Sequence, residues 1–171
     1  MQGVELVPKW LEQGLSSDLW LLFLFGLFIL EGAYLLYVVP SELLVPAALL
    51  IVGDSAGAFF SILFVACLGA TIGQVGLFVA VRRIGRGWLL QTRWMPVTEG
   101  QLERFEGWFD KYGSVAVPVS NSLIFVRGTM TFPAGLSRMR LSVFVLYSVM
   151  GTFIFEGAIG LLYYAGIYIV F

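Results

Sequence analysis

Between Asp54 and Arg82 the chain runs for 27 residues without a charged side chain. Folded as an α-helix, this run is about 40 Å long, whereas the hydrocarbon core of a bilayer is about 30 Å thick. The composition agrees, because only 12% of the residues are charged and a soluble domain of this size needs more charge to cover its surface. The sequence therefore predicts an integral membrane protein.

Two other stretches are long enough to cross a bilayer. Residues 141–171 carry Glu156 as their only charge, and residues 19–41 carry only Glu31. We therefore predict an all-α protein that crosses the cell membrane several times, with residues 1–171 forming a single domain.

Two further apolar stretches, at about residues 40–53 and 113–135, are interrupted by helix-breaking residues and charges: Pro40, Glu42 and Pro46 in the first, and Pro118, Arg127, Gly128 and Pro133 in the second. Proline removes an amide donor, and broken backbone at membrane depth is tolerated only where protein buries it or it lines a cavity. Both stretches are predicted to be re-entrant helical hairpins that enter the membrane from opposite sides.

The charged connections indicate topology and interfacial structure. Arginines follow the 27-residue run and precede residue 141, which places these connections in the cytoplasm by the positive-inside rule. Within residues 98–112 the apolar side chains recur at helical spacing, and Thr98 with Gln101 forms a capping-box sequence. This segment is predicted to be an amphipathic helix at the membrane interface, and residues 7–11 hint at a second one.

The two halves of the chain show a weak internal similarity. At an offset of 87, seven of the 28 positions from Pro46 to Gly73 are identical to their counterparts in the second half. We interpret residues 18–81 and 98–171 as an inverted repeat, an arrangement typical of transporters. A two-fold axis in the membrane plane would then bring Glu42 and Arg127 to similar depths on facing hairpins.

Charged side chains inside the apolar segments are the candidate functional residues. Ionised groups at membrane depth cost a few kcal/mol and mark transport pathways by default, which singles out Glu31, Glu42, Arg127 and Glu156. Three acids face one base, so at least one carboxyl is expected to hold a proton. The structural alternatives are that Glu42 caps a helix and that Arg127 staples its hairpin to backbone carbonyls or to Glu42.

Several functions are disfavoured by the same composition. The net charge of −1 provides no basic surface for a nucleic acid. The chain has no histidine and one cysteine, Cys67, so we expect neither a metal site, nor a cofactor held by such ligands, nor a disulfide framework. Binding and movement are favoured over covalent catalysis.

The pattern of motifs over residues 31–166 resembles that of the DedA family, also called SNARE-associated or VTT-domain proteins. The matching residues are Glu31, Pro40-Ser41-Glu42 and Pro46, then Gly69, Gly73, Gly85 and Arg86, and finally Phe109-Asp110-Lys111-Tyr112-Gly113, Arg127, Ala134-Gly135, Met139, Phe144 and Gly151.

The resemblance implies two opposed re-entrant hairpins and a role in moving lipids between leaflets, either phospholipid or polyprenyl phosphate. It also implies functional acids at Glu31 and Glu42 and a functional arginine at Arg127, while Asn121 stands where the family has another arginine. We therefore expect Arg127, with Asn121, to meet a lipid phosphate. Glu42 or Glu31 would exchange a proton or balance charge, and Glu156 is a further candidate for proton coupling.

Two other classes of function stay open at this point. One is a proton-coupled carrier of a small solute or ion, which predicts a central water-filled cavity. The other is a structural membrane protein in which the buried charges form a static ion pair. Self-association into a homo-oligomer is also left open by the sequence.

Overall fold

The computed structural model describes residues 8–36, 41–91 and 98–170. All regular secondary structure within these ranges is helical, which confirms the predicted all-α class for the described part of the chain. The α-helices are α1 (Lys9–Leu15), α2 (Trp20–Gly32), α3 (Leu44–Val52), α4 (Ala56–Ile84), α5 (Arg86–Gln91), α6 (Glu99–Tyr112), α7 (Ala116–Asn121), α8 (Thr131–Leu136) and α9 (Leu141–Val170).

Two of these helices are long and apolar enough to cross a membrane. They are α4, with 29 residues, and the Leu141–Gly166 part of α9, with 26 residues. Large apolar side chains on their surfaces, such as Phe64 and Leu162, are about two-thirds exposed. Such surfaces are unfavourable in water and suited to lipid, so both predicted spans are supported by composition and by exposure.

The third predicted span, residues 19–41, is not one continuous helix. Helix α2 ends at Gly32 after 13 residues, about 20 Å, which is too short to cross the hydrocarbon core. The amides of Leu35 and Leu36 turn back to the carbonyl of Leu30, and Tyr34 adopts a positive φ of 62°. The prediction of a span was wrong for this reason: the chain leaves the helix near Glu31, a charge that hydropathy alone treats as a tolerable interruption.

The two predicted hairpins contain short, broken helices. Helix α3 has nine residues, and α7 and α8 have six each, separated by a 3₁₀ turn at Ile124–Val126. Proline is the third residue of each of these helices, where its missing amide breaks no hydrogen bond within the helix. None of the three can cross a bilayer, while the re-entrant path and the inverted repeat stay predictions. Pro40, the predicted start of the first hairpin, lies outside the described residues.

Helices α2 and α4 approach each other closely enough for their backbones to touch. A Cβ atom added to Gly32 would overlap the carbonyl oxygen of Ala70, and one added to Gly73 would overlap that of Ile29. Glycine at these positions therefore permits the contact, as small residues do between membrane helices.

Helices α4 and α9 run antiparallel and pack through side chains. Phe78 stacks on Phe144 with ring centroids 4.3 Å apart, and toward the other end Phe59 meets Tyr164 at 5.8 Å. At the arginine-rich end, the Arg82 guanidinium donates hydrogen bonds to the carbonyl oxygens of Ser137 and Met139. The end of α4 is thus tied to the segment that leads into α9.

The predicted amphipathic segment forms α6, and its capping box is confirmed. The Thr98 hydroxyl accepts from the Gln101 amide, and the Gln101 side chain accepts from the Thr98 amide. The guanidinium of Arg86, which opens α5, lies 3.6–3.9 Å from three acids of α6: Glu99, Glu103 and Glu106. Arg93, one of the arginines that follow the 27-residue run, lies outside the described residues.

Candidate functional site

Arg127 lies between the broken helices of the second hairpin and is held there by its backbone. Its carbonyl oxygen accepts a 2.7 Å hydrogen bond from the Tyr34 hydroxyl. The next residue, Gly128, has φ +71° and donates its amide to the Asn121 side-chain oxygen at 3.0 Å. A Cβ at Gly128 would lie 2.9 Å from the Tyr34 ring, so glycine serves both the turn and the packing. These contacts fix the loop that presents Arg127.

The Arg127 side chain is buried between two carboxylates from different helices. Its Nε lies 2.9 Å from Oε1 of Glu31, near the end of α2, and its Nη1 lies 2.7 Å from Oε1 of Glu156, in the middle of α9. The guanidinium also packs on the Phe155 ring, 4.3 Å from the centroid. We call Glu31, Arg127 and Glu156 the ion cluster.

Burial and charge make the ion cluster energetically demanding. The side chains of Arg127 and Glu156 are 4% and 0% exposed, and that of Glu31 is 10% exposed. With all three groups ionised the cluster carries a net charge of −1, and Oε2 of Glu156 has no hydrogen-bond partner among the described residues. Such a cluster favours the uptake of one positive charge, or the exchange of a carboxylate for another partner of Arg127.

Asn121 joins the hairpin loop to α4. Its amide nitrogen donates a 2.9 Å hydrogen bond to the side-chain oxygen of Gln74, while its oxygen accepts from Gly128 as described above. Both amide side chains are buried. In this arrangement Asn121 positions the residue next to Arg127, and its side-chain hydrogen bonds are made with Gly128 and Gln74.

Glu42 lies outside the ion cluster but near it. It belongs to the 3₁₀ turn Ser41–Leu43, is half-buried, and interacts electrostatically with Glu156. The sequence left open a staple from Arg127 to Glu42 as a structural alternative, and the ion pairs that the structure gives Arg127 are with Glu31 and Glu156. Of the candidates from the sequence, the structure brings Glu31, Arg127 and Glu156 together.

Three residues around the cluster were not indicated by the sequence. Tyr34 and Phe155 are aromatic residues in an aromatic-rich chain, and nothing in their local sequence distinguishes them. Gln74 is different, because it is the only amide side chain in the 27-residue uncharged run, and a lone amide in a predicted span is a signal for an internal polar contact.

The described residues offer no group of three or more His, Cys, Asp or Glu side chains placed to hold a metal ion. The ion cluster itself consists of one guanidinium and two carboxylates. A guanidinium matches carboxylate and phosphate oxygens in the same bidentate geometry, so a phosphate could replace one of the present partners.

These features define a class: a helical membrane protein whose buried ion cluster joins the short helix α2, a broken-helix segment and the long helix α9. Comparison with known proteins agrees. The VTT domain family profile matches residues 19–167, so the chain belongs to the VTT domain family, and the resemblance to DedA proteins is confirmed. No solved structure was found to match the chain.

Two curated relatives carry the same name. Undecaprenyl phosphate transporter A of Staphylococcus aureus (strain NCTC 8325 / PS 47) is 30% identical over 138 residues, which cover 78% of this chain and 67% of that protein. Undecaprenyl phosphate transporter A of Bacillus subtilis (strain 168) is 26% identical over 114 residues, which cover 66% of this chain and 58% of that protein. The matched part is thus about two-thirds of the first relative and less of the second.

Proposed function

We propose that this chain is a lipid translocase, a flippase or scramblase that moves phospholipid or polyprenyl phosphate headgroups across the bilayer. Membership of the VTT domain family and the names of the two curated relatives support a lipid carrier as substrate. The phosphate headgroup is the polar part that resists crossing, so the protein must supply a polar route for it. The hydrocarbon tails can stay in the membrane.

The observation that carries the proposal is the buried guanidinium of Arg127 between two exchangeable carboxylates. A phosphate oxygen pair would take the place of Glu31 or Glu156, and the released carboxylate would take up a proton or be balanced by charge movement. Glu42, which interacts with Glu156, belongs to the same charge balance. Transport linked to protons is the expected consequence of this exchange.

The proposed architecture places the exchange on paired re-entrant hairpins. The short helices α3, α7 and α8 support this arrangement, because each is too short to span and carries proline in its first turn. Residues 18–81 and 98–171 would form the two inverted repeats of a single domain. Asn121 would hold the Arg127 loop and contact the headgroup when the loop opens.

The test is headgroup translocation in proteoliposomes that contain a labelled phospholipid or a labelled polyprenyl phosphate. Arg127→Ala is expected to slow translocation roughly 30-fold or more, equivalent to about 2 kcal/mol of lost interaction with a charged partner. Glu42→Gln and Glu31→Gln are expected to alter its dependence on a pH gradient. Arg104→Ala, which removes an exposed arginine of α6, is the matched control and should match the wild type. Unchanged rates in Arg127→Ala and Glu42→Gln would contradict the proposal.

A structural role is the second candidate, and one observation favours it. The Arg127 guanidinium already has a carboxylate on two sides and an aromatic ring on its face, which is also the arrangement of a static staple. In that case Arg127→Ala lowers the melting temperature while the wild-type protein shows no translocation of any lipid tested. A proton-coupled carrier of a small solute would be indicated instead by uptake of solute without lipid movement.

A further inference from the structure

Helix α9 buries a row of polar side chains that begins at Glu156 of the ion cluster and continues toward the start of the helix. Ser148, Thr152 and Glu156 follow one another at intervals of four residues, so they share one face of the helix, and all three are fully buried. The hydroxyls of Ser148 and Thr152 have no hydrogen-bond partner among the described residues, and neither does the hydroxyl of Thr71 on α4. Buried polar groups are almost always paired, so this row calls for an explanation.

The register between α4 and α9 brings these hydroxyls to neighbouring levels. The ring pairs Phe78–Phe144 and Phe59–Tyr164 fix an antiparallel alignment in which Thr71 lies level with Thr152. From Ser148 to Glu156 the row covers about 12 Å along the helix axis. We call these side chains the polar strip: Thr71 on α4, and Ser148, Thr152 and Glu156 on α9. The polar strip leads from the ion cluster toward the arginine-rich end of both helices.

An apolar groove runs beside this polar strip. It lies between α4 and α9, has a volume of about 760 Å³, and includes Phe64 and Leu68 from α4 and Val149 and Phe153 from α9. Along α4 it extends from Phe60 to Val75, about 22 Å on the helix.

The strip and the groove meet on both helices. Thr71 lines the groove although it is only 7% exposed. On α9, Val149 and Phe153 are each one position from a residue of the strip. A polar row and an apolar groove thus run side by side between the same two helices.

We propose that strip and groove together form the path of one lipid molecule, with its phosphate headgroup on the strip and its hydrocarbon tail in the groove. This rests on the proposed function and adds the route between the ion cluster and the arginine-rich membrane face. The hydroxyls of Thr71, Ser148 and Thr152 donate hydrogen bonds to the phosphate oxygens when α4 and α9 separate. The apolar groove keeps the tail in hydrocarbon throughout, so the headgroup alone enters the protein.

The lack of hydrogen-bond partners for these hydroxyls among the described residues distinguishes phosphate binding from a structural role. A hydroxyl that stabilises the fold has a partner, and its removal lowers the melting temperature. A hydroxyl without a partner can be replaced by an isosteric apolar group with no loss of stability, since no hydrogen bond is broken. Thr71→Val, Ser148→Ala and Thr152→Val are therefore expected to keep or raise the melting temperature while they impair transport.

The experiment compares these three variants, singly and combined, with Ser61→Ala in the proteoliposome assay. Ser61 is an exposed hydroxyl on α4 outside the groove and serves as the control. The combined variant is expected to slow translocation about tenfold or more, as for the loss of a hydrogen bond to a charged group, and Ser61→Ala is expected to match the wild type. Wild-type rates in the combined variant, alongside a slow Arg127→Ala, would overturn the path and leave the proposed function intact.

A second measurement does not depend on transport. A phospholipid with a diazirine in its acyl chain is incorporated into the vesicles, irradiated, and its adducts are mapped by mass spectrometry. Adducts at Phe64, Val149 and Phe153 are expected to exceed those at Leu161 and Leu162, which are similarly or more exposed on α9 outside the groove. Equal labelling of both sets would refute the tail site, even if the wild-type protein translocated no lipid.

Discussion

Replacing Arg127 by methionine tests the energetics of the ion cluster. The substitution keeps a long apolar stem but removes the only positive charge from between Glu31 and Glu156. Two carboxylates with side-chain exposures of 10% and 0% would then lie without their counter-ion. Breaking a buried ion pair in this way costs about 3–5 kcal/mol, which for a chain of this size lowers the melting temperature by roughly 6–20 °C.

Substitution of either acid should lower the free energy of unfolding far less than Arg127→Met does. Glu31→Gln or Glu156→Gln leaves Arg127 with one carboxylate, so the formal charge of the cluster falls from −1 to zero. The loss is then about 1 kcal/mol, the net value of one hydrogen bond. The triple variant Glu31→Gln, Arg127→Met, Glu156→Gln carries no charge in the cluster. It should therefore regain part of the stability that Arg127→Met alone loses.

The measurement is thermal or denaturant unfolding of the purified protein in lipid–detergent micelles, followed by the fluorescence of its five tryptophans. Arg104→Met is the control for removal of an exposed arginine. If Arg127→Met lowers the free energy of unfolding no more than Glu31→Gln or Glu156→Gln does, Arg127 is not the buried counter-ion of both acids. That result would refute the account of the ion cluster.

Further substitutions test three features of the fold. Gly73→Ala should destabilise the protein by about 1–3 kcal/mol, because the added Cβ would force α2 away from α4. Gly76 has open space around it, so Gly76→Ala should be neutral or stabilise the protein by about 0.5–1 kcal/mol. Melting temperatures compare the two variants. Thr98→Ala should cost α6 about 1 kcal/mol by removing its cap and should speed hydrogen exchange at the Gln101 amide; unchanged exchange would count against the capping box. Gly128→Ala should cost at least about 1–2 kcal/mol, because its φ is +71° and its Cβ would press on Tyr34; an unchanged melting temperature would mean that the loop is not fixed as described.

The parts of the fold that sequence predicted are those with strong local signals. Helices α4 and α9 follow from long apolar runs, the first uncharged over 27 residues and the second carrying only Glu156, and such runs are helical in lipid. The start of α6 follows from Thr98 and Gln101, which satisfy each other's backbone groups within one turn. The starts of α7 and α8 agree with Pro118 and Pro133, because each is the third residue of its helix, where a missing amide is tolerated.

The rest depends on contacts between residues far apart in the chain. Arg127 and Glu31 are 96 positions apart, and nothing in the sequence favours Glu31 over Glu42 as a partner. At the offset of 87 between the two halves, Arg127 corresponds to Pro40 in the first hairpin, which favours the nearby Glu42 as its partner. No local pattern predicts the early end of α2, because the Tyr34 hydroxyl in the turn that follows donates to the distant carbonyl of Arg127.

The backbone contact between α2 and α4 also limits how the molecule can move. At Gly32 and Gly73 the two helices are in backbone contact, so sliding or tilting one helix past the other would push carbonyl oxygens into the neighbouring main chain. They behave mechanically as a single piece. The boundary between α4 and α9 is filled instead by rings and methyl groups, which can change rotamer as the helices shift. Any hinge that exposes Glu156 or Arg127 therefore belongs on the α9 side, with α2 and α4 as the fixed frame.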